Sequence, residues 1–145
     1  MVETIGFDEI REVLMGSLAP ELGRPQSSAH RGGLKVWFGE SKREHYEAQL
    51  IRLDGEVVLE LGFHAEHAKP ADNEAATALL SESEASWRPA LGDDPVIGPF
   101  LGRPGWSRVS ETWPAPSLDD VDEVIEVAAR LADYINALEP CRRAV

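Results

Sequence analysis

Residues 45–66 read HYEAQLIRLDGEVVLELGFHAE, and this stretch decides the fold. Two strand-like runs, 45–53 and 56–66, flank Asp54-Gly55, a residue pair preferred in two-residue type I′ hairpin turns. Such a turn fixes the register of the strands it joins. Leu53 then opposes Glu56, Leu50 opposes Leu59, Ala48 opposes Leu61 and Tyr46 opposes Phe63, and the last three pairs form an apolar face. On the other face Gln49 meets Glu60, Glu47 meets Gly62 and His45 meets His64, with Ile51 and Val58 nearer the turn. The histidine pair lies far from the turn, so it requires a ladder without a bulge.

Outward from the hairpin, Phe7, Ile10, Leu14 and Leu18 keep helical spacing and predict a helix over 7–18 that Pro20 ends or kinks. Residues 24–33, RPQSSAHRGG, read as a polar loop. Leu34, Val36 and Phe38 alternate with Lys35, Trp37 and Gly39, as in a short strand. After the hairpin, Asp72 or Asn73 is placed to cap a helix bearing Ala76, Leu79, Leu80 and Trp87 on one face and ending before Pro89. An edge strand near 96–101, a turn at Arg103-Pro104-Gly105 and a last strand over 106–113 follow. Ser117 with Asp120 fits a capping box opening the last helix, whose stripe is Leu118, Val121, Ile125, Ala128, Ala132 and Ile135, widened by Val124, Leu131 and Leu138. Pro140 is expected to stop it.

The order is α-β-β-β-α-β-β-α in a single domain over 1–145. Hairpins imply an antiparallel sheet, of about five strands, with helices mainly on one face: an α+β class. In element order the chain resembles the small acidic chaperones of type III secretion and the related YbjN-like proteins. That resemblance implies a homodimer that holds unfolded segments of a partner.

The formal charge is −12. A nucleic-acid binder needs a basic footprint, and an anionic membrane surface attracts basic segments, so both partners are disfavoured. Cys141 is the sole cysteine, which excludes an intrachain disulfide and any zinc site with two thiolates. The N-terminal MVETIGFDEIREVL is acidic and lacks the apolar run of a secretory signal, and no run is long enough to span a membrane. A cytoplasmic, bacterial protein without a cofactor is the expectation.

Named catalytic motifs fail. His64-Ala65-Glu66 matches the H-x-E of zinc deaminases, but their P-C-x-x-C has no counterpart. There is no H-E-x-x-H, G-x-S-x-G, Walker A loop or G-x-G-x-x-G. Arg142 and Arg143 beside Cys141 would lower its pKa, in a tail expected to fray. The glycines of IGPFLGRPGW, residues 97–106, fit a hairpin loop between strands.

What remains is the polar sheet face. An open face mixing charges with aromatic margins is plausible as a protein-binding surface, and Trp37, Glu47, Glu60, His64, Trp106, Arg108 and Trp113 are its candidates. The expectation is a non-enzymatic, chaperone-like interaction domain. A rival is a metal-dependent enzyme using His45, His64, Glu60 and Glu66, since cross-strand neighbours on one face lie close enough to share an ion. A third reading is an acidic inhibitor of a basic partner protein.

Overall fold

The computed structural model describes residues 6–144. The first helix, α1 (Gly6–Met15), buries Phe7, Ile10 and Leu14. It stops at Met15, short of the predicted 18, and Pro20 opens a separate 3-10 turn, Pro20–Leu22. Four strands follow: β1 (Gln26–His30), β2 (Gly33–Trp37), β3 (Glu44–Leu53) and β4 (Glu56–Ala65). Next come α2 (Pro70–Glu82), α3 (Glu84–Leu91), β5 (Val96–Pro99), β6 (Ser107–Pro114) and α4 (Val121–Arg143). Part of the N-terminal stretch read as no secretory signal lies outside the described residues.

The strands form one antiparallel sheet in the order β1-β2-β3-β4-β6-β5. It has six strands, not about five, because the polar run QSSAH is a strand. At the sheet edge that run pairs through its backbone with β2, Gln26 to Trp37 through His30 to Gly33, and needs no apolar face to do so. The hairpin keeps the predicted register without a bulge, from Leu53–Glu56 through His45–His64 to Glu44–Ala65. Asp54 and Gly55 both take positive φ, 51° and 82°, as a type I′ turn requires.

The helices cover one face. Leu34, Val36, Tyr46, Ala48, Leu59, Leu61, Phe63, Ala65 and Val109 of the sheet share one core with Ile10, Leu14, Leu80, Trp87, Leu131 and Ile135 of the helices. Burying each Leu, Ile, Val or Phe stabilises the fold by about 1.5–3 kcal/mol. Polar pins fix α4 on this core. The Tyr46 hydroxyl donates to Glu139 at 2.9 Å, and the Tyr134 hydroxyl donates to Glu111 at 2.6 Å beside Arg130.

Several helix limits differ from the sequence reading. Lys69 is the N-cap of α2, with Pro70 in the first turn, because the Asn73 side chain is committed elsewhere. The expected single helix breaks at Ser83, and α3 runs past Pro89 to Leu91, where Gly92 ends it at φ 77°. Asp120 caps α4 in place of Ser117, accepting from the amides of Asp122 and Glu123 at 2.9 and 3.4 Å. The buried stripe of α4 is rotated, so Val127 and Tyr134 are inside while Val121 and Ile125 face solvent. Pro140 lies within α4. The last turn persists because Glu139 pairs with Arg142 and Arg143, and Arg143 donates to the Leu22 carbonyl. Cys141 therefore sits in an ordered helix, its Sγ near the Ala137 carbonyl, and burial raises its pKa instead of the arginines lowering it. No helix among the described residues is long and apolar enough to cross a membrane.

Gly62 sits mid-strand in β4 at φ 147°, between Glu47 and Ser110. A Cβ there would lie 2.4 Å from the Val109 carbonyl oxygen and 2.6 Å from the Ser110 Cα, both backbone atoms that cannot swing aside. Gly62→Ala is predicted to destabilise the protein by about 2–4 kcal/mol in urea unfolding. A loss below about 1 kcal/mol would contradict the close strand approach described here.

Candidate metal centre

The second sheet face carries the alternate residues of the hairpin, and its centre is not open. His45, Glu60 and His64 have no solvent exposure, and Glu47 retains 6%. The expectation of a bare, wet face is corrected by the loop of residues 100–106 that joins β5 to β6. Phe100 lies edge-on to His64 with centroids 4.7 Å apart, and Trp106 packs on Phe100 at 5.7 Å. The amide of Phe100 donates to the Trp106 carbonyl, closing the loop at its base. Asn73 of α2 anchors it further, donating to the Gly105 carbonyl at 2.7 Å and to the His67 carbonyl at 3.0 Å while accepting from the His67 amide.

Under this cover the two imidazoles meet edge to face, 5.3 Å apart. Each has one nitrogen already engaged. His45 Nδ1 lies 2.7 Å from the Lys42 carbonyl, an acceptor only, so Nδ1 carries a proton. His64 Nε2 lies 2.6 Å from Glu60 Oε2. The free nitrogens, Nε2 of His45 and Nδ1 of His64, turn toward the same space. Glu47 Oε1 is 2.9 Å from the former and 3.2 Å from the latter, and Glu66 Oε2 is 3.4 and 3.7 Å away. The four ligand atoms of His45, Glu47, His64 and Glu66 all lie within 4.8 Å of one another.

Of the four residues singled out from sequence as ligands, three converge. Glu60 is instead behind His64, where its other oxygen accepts from Gln49 at 3.0 Å. Glu47, assigned from sequence to a binding surface, takes the inner position. Face parity alone would have found it, because Glu47 stands opposite Gly62, which has no side chain to fill the space. The Lys42 carbonyl and the Phe100 cover left no sequence signal. Among the remaining candidates, Trp37 is 8% exposed beneath Lys42, whose Nζ is 5.2 Å from its ring. Trp106 is half-buried, with the Arg103 guanidinium 4.4 Å above it. Arg108 lies opposite His64 on the same face. Trp113 belongs to the helix side, its indole donating to Glu111.

Electrostatics follow from this packing. Burial opposes the charged imidazole of His64, but the Glu60 charge and the hydrogen bonds to Glu47 and Glu60 overcome it and push the pKa up to about 9. For His45, burial is likewise outweighed by Glu47 and Glu66, and its pKa is raised. Burial would raise Glu47, yet the two imidazoles hold it well below the usual carboxylate range. Glu60 is lowered against its own burial by the His64 charge and by hydrogen bonds from His64, Ser110 and Gln49. Three carboxylates thus face two ionisable imidazoles. Two protons, or one divalent cation on the neutral imidazoles, bring the same positive charge to the cluster.

No protein-family model matches the chain, and no curated protein or solved structure matches it either. The resemblance to secretion chaperones in element order gains no support from these comparisons, and the chemistry of the cluster must be argued from its geometry. In metal-free protein the imidazolium–carboxylate pairs are what hold the cluster together. The raised pKa of His64 means that its contribution is whole below about pH 6.5 and fades as the pH rises through about 9. The depressed pKa of Glu47 means that its contribution is whole above the usual carboxylate range and lost only in strong acid. With chelator present, the Tm is predicted to be highest near about pH 5–6 and to decline from about pH 6.5 to 9. Calorimetric scans across that range check it, and a profile without the alkaline decline would contradict the pairing.

Proposed function

We propose that the chain is a binding protein for a first-row divalent transition-metal ion, held by His45, Glu47, His64 and Glu66. The observation that carries this reading is the pre-set orientation of both imidazoles. Each has one nitrogen anchored by Lys42 or Glu60 and the other turned toward the two carboxylates. A metal-bound histidine characteristically donates its other N–H to a carbonyl or carboxylate, which fixes the tautomer and raises ligand basicity. Here both partner types are in place.

The donor set favours particular ions. Imidazole nitrogens with carboxylate oxygens suit zinc, iron, nickel or manganese, whereas calcium and magnesium prefer all-oxygen shells. Four protein donors around one point leave no position of a tetrahedral ion for water or substrate, the pattern of ions held for binding or structure rather than for hydrolysis. This supports a non-enzymatic role. A protein-docking role for the same face is less well supported, because Trp37, Phe100 and Trp106 are partly or wholly covered by the chain's own side chains.

Zinc or cobalt(II) is expected to bind at one equivalent per chain after chelator treatment. Titration of cobalt(II) should give visible d–d bands of a four-coordinate nitrogen–oxygen site. Because protons occupy the same nitrogens, affinity should rise with pH between about 6 and 9. Glu47→Gln is predicted to weaken zinc by at least about 100-fold, and Glu60→Gln by about 10–100-fold through His64 orientation alone. Absence of stoichiometric binding by isothermal calorimetry at pH 8, in folded protein, would remove the reading.

A further inference from the structure

Beyond that centre, β5 is much shorter than β6. It pairs with Ser107–Ser110 only and leaves the outer edge of residues 111–114 without a neighbouring strand. A cleft of about 430 Å³ occupies this notch. Its apolar walls are Leu53, Val96, Leu101 and Trp113, and Arg108, Asp94 and Glu111 are its charged lining. The guanidinium is unusual for this protein. Arg108 is 9% exposed, yet it makes no ion pair at contact distance with any described carboxylate. Its Nε donates to the Pro99 carbonyl at 3.3 Å, and Nη1 donates to the carbonyl and hydroxyl of Ser110 at 3.2 and 3.0 Å. Nη2 has no acceptor among the described residues. No buried side-chain nitrogen or oxygen among the described residues lacks a hydrogen bond, so Nη2 reaches accessible space and the cleft is the space Arg108 lines.

A permanently charged guanidinium that is nine-tenths buried, with its remaining donor pair facing a cleft, is placed to pair with an anion entering that cleft. We propose that this notch is a binding site for a small monocarboxylate with an apolar body, its carboxylate on Arg108 Nη2 and its hydrocarbon against Leu53, Val96, Leu101 and Trp113. The neighbouring charges select the class. Asp94 and Glu111 both line the cleft, with Glu111 paired to Arg130, so a dianion would meet more like charge than a single carboxylate held on Arg108. The open strand edge supplies further backbone polar groups at the rim.

The site shares no donor atom with the proposed metal ligands, so the test uses metal-free protein with chelator present. 4-Methylpentanoate and its neutral amide, 4-methylpentanamide, are titrated separately into isotope-labelled protein and followed by NMR. The acid is expected to give saturable shifts at Val96, Thr112 and the Trp113 indole, with at least tenfold weaker response to the amide. Arg108→Gln should abolish the preference for the acid. Should that variant fail to fold, Leu101→Glu, which alters only a loop wall, should weaken the acid at least tenfold and the amide little. Equal response to acid and amide, no saturable shift with the acid, or unchanged acid binding in a folded Arg108→Gln protein would each overturn the proposal.

Discussion

The antiparallel pairing of β3 with β4 is the constraint on which the remaining structure depends. Side chains on a strand alternate faces, so a slip by one residue would exchange the two sides of the hairpin entirely. Tyr46, Leu61 and Phe63 would then leave the core, and the two imidazoles would point at α4. The Asp54-Gly55 turn sets the phase at one end, and Gly62 preserves close strand approach two residues before His64. Both the core under the helices and the cluster on the opposite face follow from that single phase. Stability and ligand geometry are therefore specified together, because apolar burial on one side holds the polar groups of the other in register.

A polar cluster buried this deeply must be satisfied internally, since an unpaired buried carboxylate costs several kcal/mol. The cover of Phe100 and Trp106 removes water from His64 and strengthens every charge interaction beneath it. It also makes the cluster responsive. Protons on the two imidazoles offset the repulsion of Glu47, Glu60 and Glu66, and a bound cation would compete for the same nitrogens. Asn73 has an indirect part in this. By holding Gly105 and His67 it ties the loop to the end of β4, so the cover and the ligands it covers are positioned by one side chain.

What was legible in the sequence is what local chemistry dictates. The type I′ turn fixes a register that carries through ten paired positions, and strict alternation assigns each residue to a face. That was enough to bring His45 opposite His64. Burial of that face was not legible, because it depends on where a loop with the pattern FLGRPGW comes to rest, which is a tertiary outcome. The places of Glu47 and Glu60 around the imidazoles were not legible for a related reason. Parity places both on the face, but only the rotamers of His64 decide which nitrogen each carboxylate meets. The missed strand β1 has no apolar alternation to reveal it, being an edge strand joined by backbone alone. Pro89 and Pro140 misled because tertiary contacts around each, Trp87 in the core and the Glu139 ion pairs, outweigh the lost hydrogen bond.

The two faces of the sheet treat buried charge in opposite ways, and the contrast bears on function. On the helix side, Glu111 meets Arg130 and Glu139 meets Arg142 and Arg143. A guanidinium keeps its charge at any physiological pH, so those pairs are permanent and serve to pin α4. On the other side the ionisable partners of Glu47 and Glu60 at contact distance, among the described residues, are histidines, groups whose charge can leave as a proton. Arg108, a guanidinium on that face, stands one hydrogen bond removed, reaching Glu60 through the Ser110 hydroxyl. A fold needing only rigidity would be served by arginine on both faces. Exchangeable partners around Glu47 leave the charge of that cluster dependent on pH, unlike that of the arginine pairs under the helices.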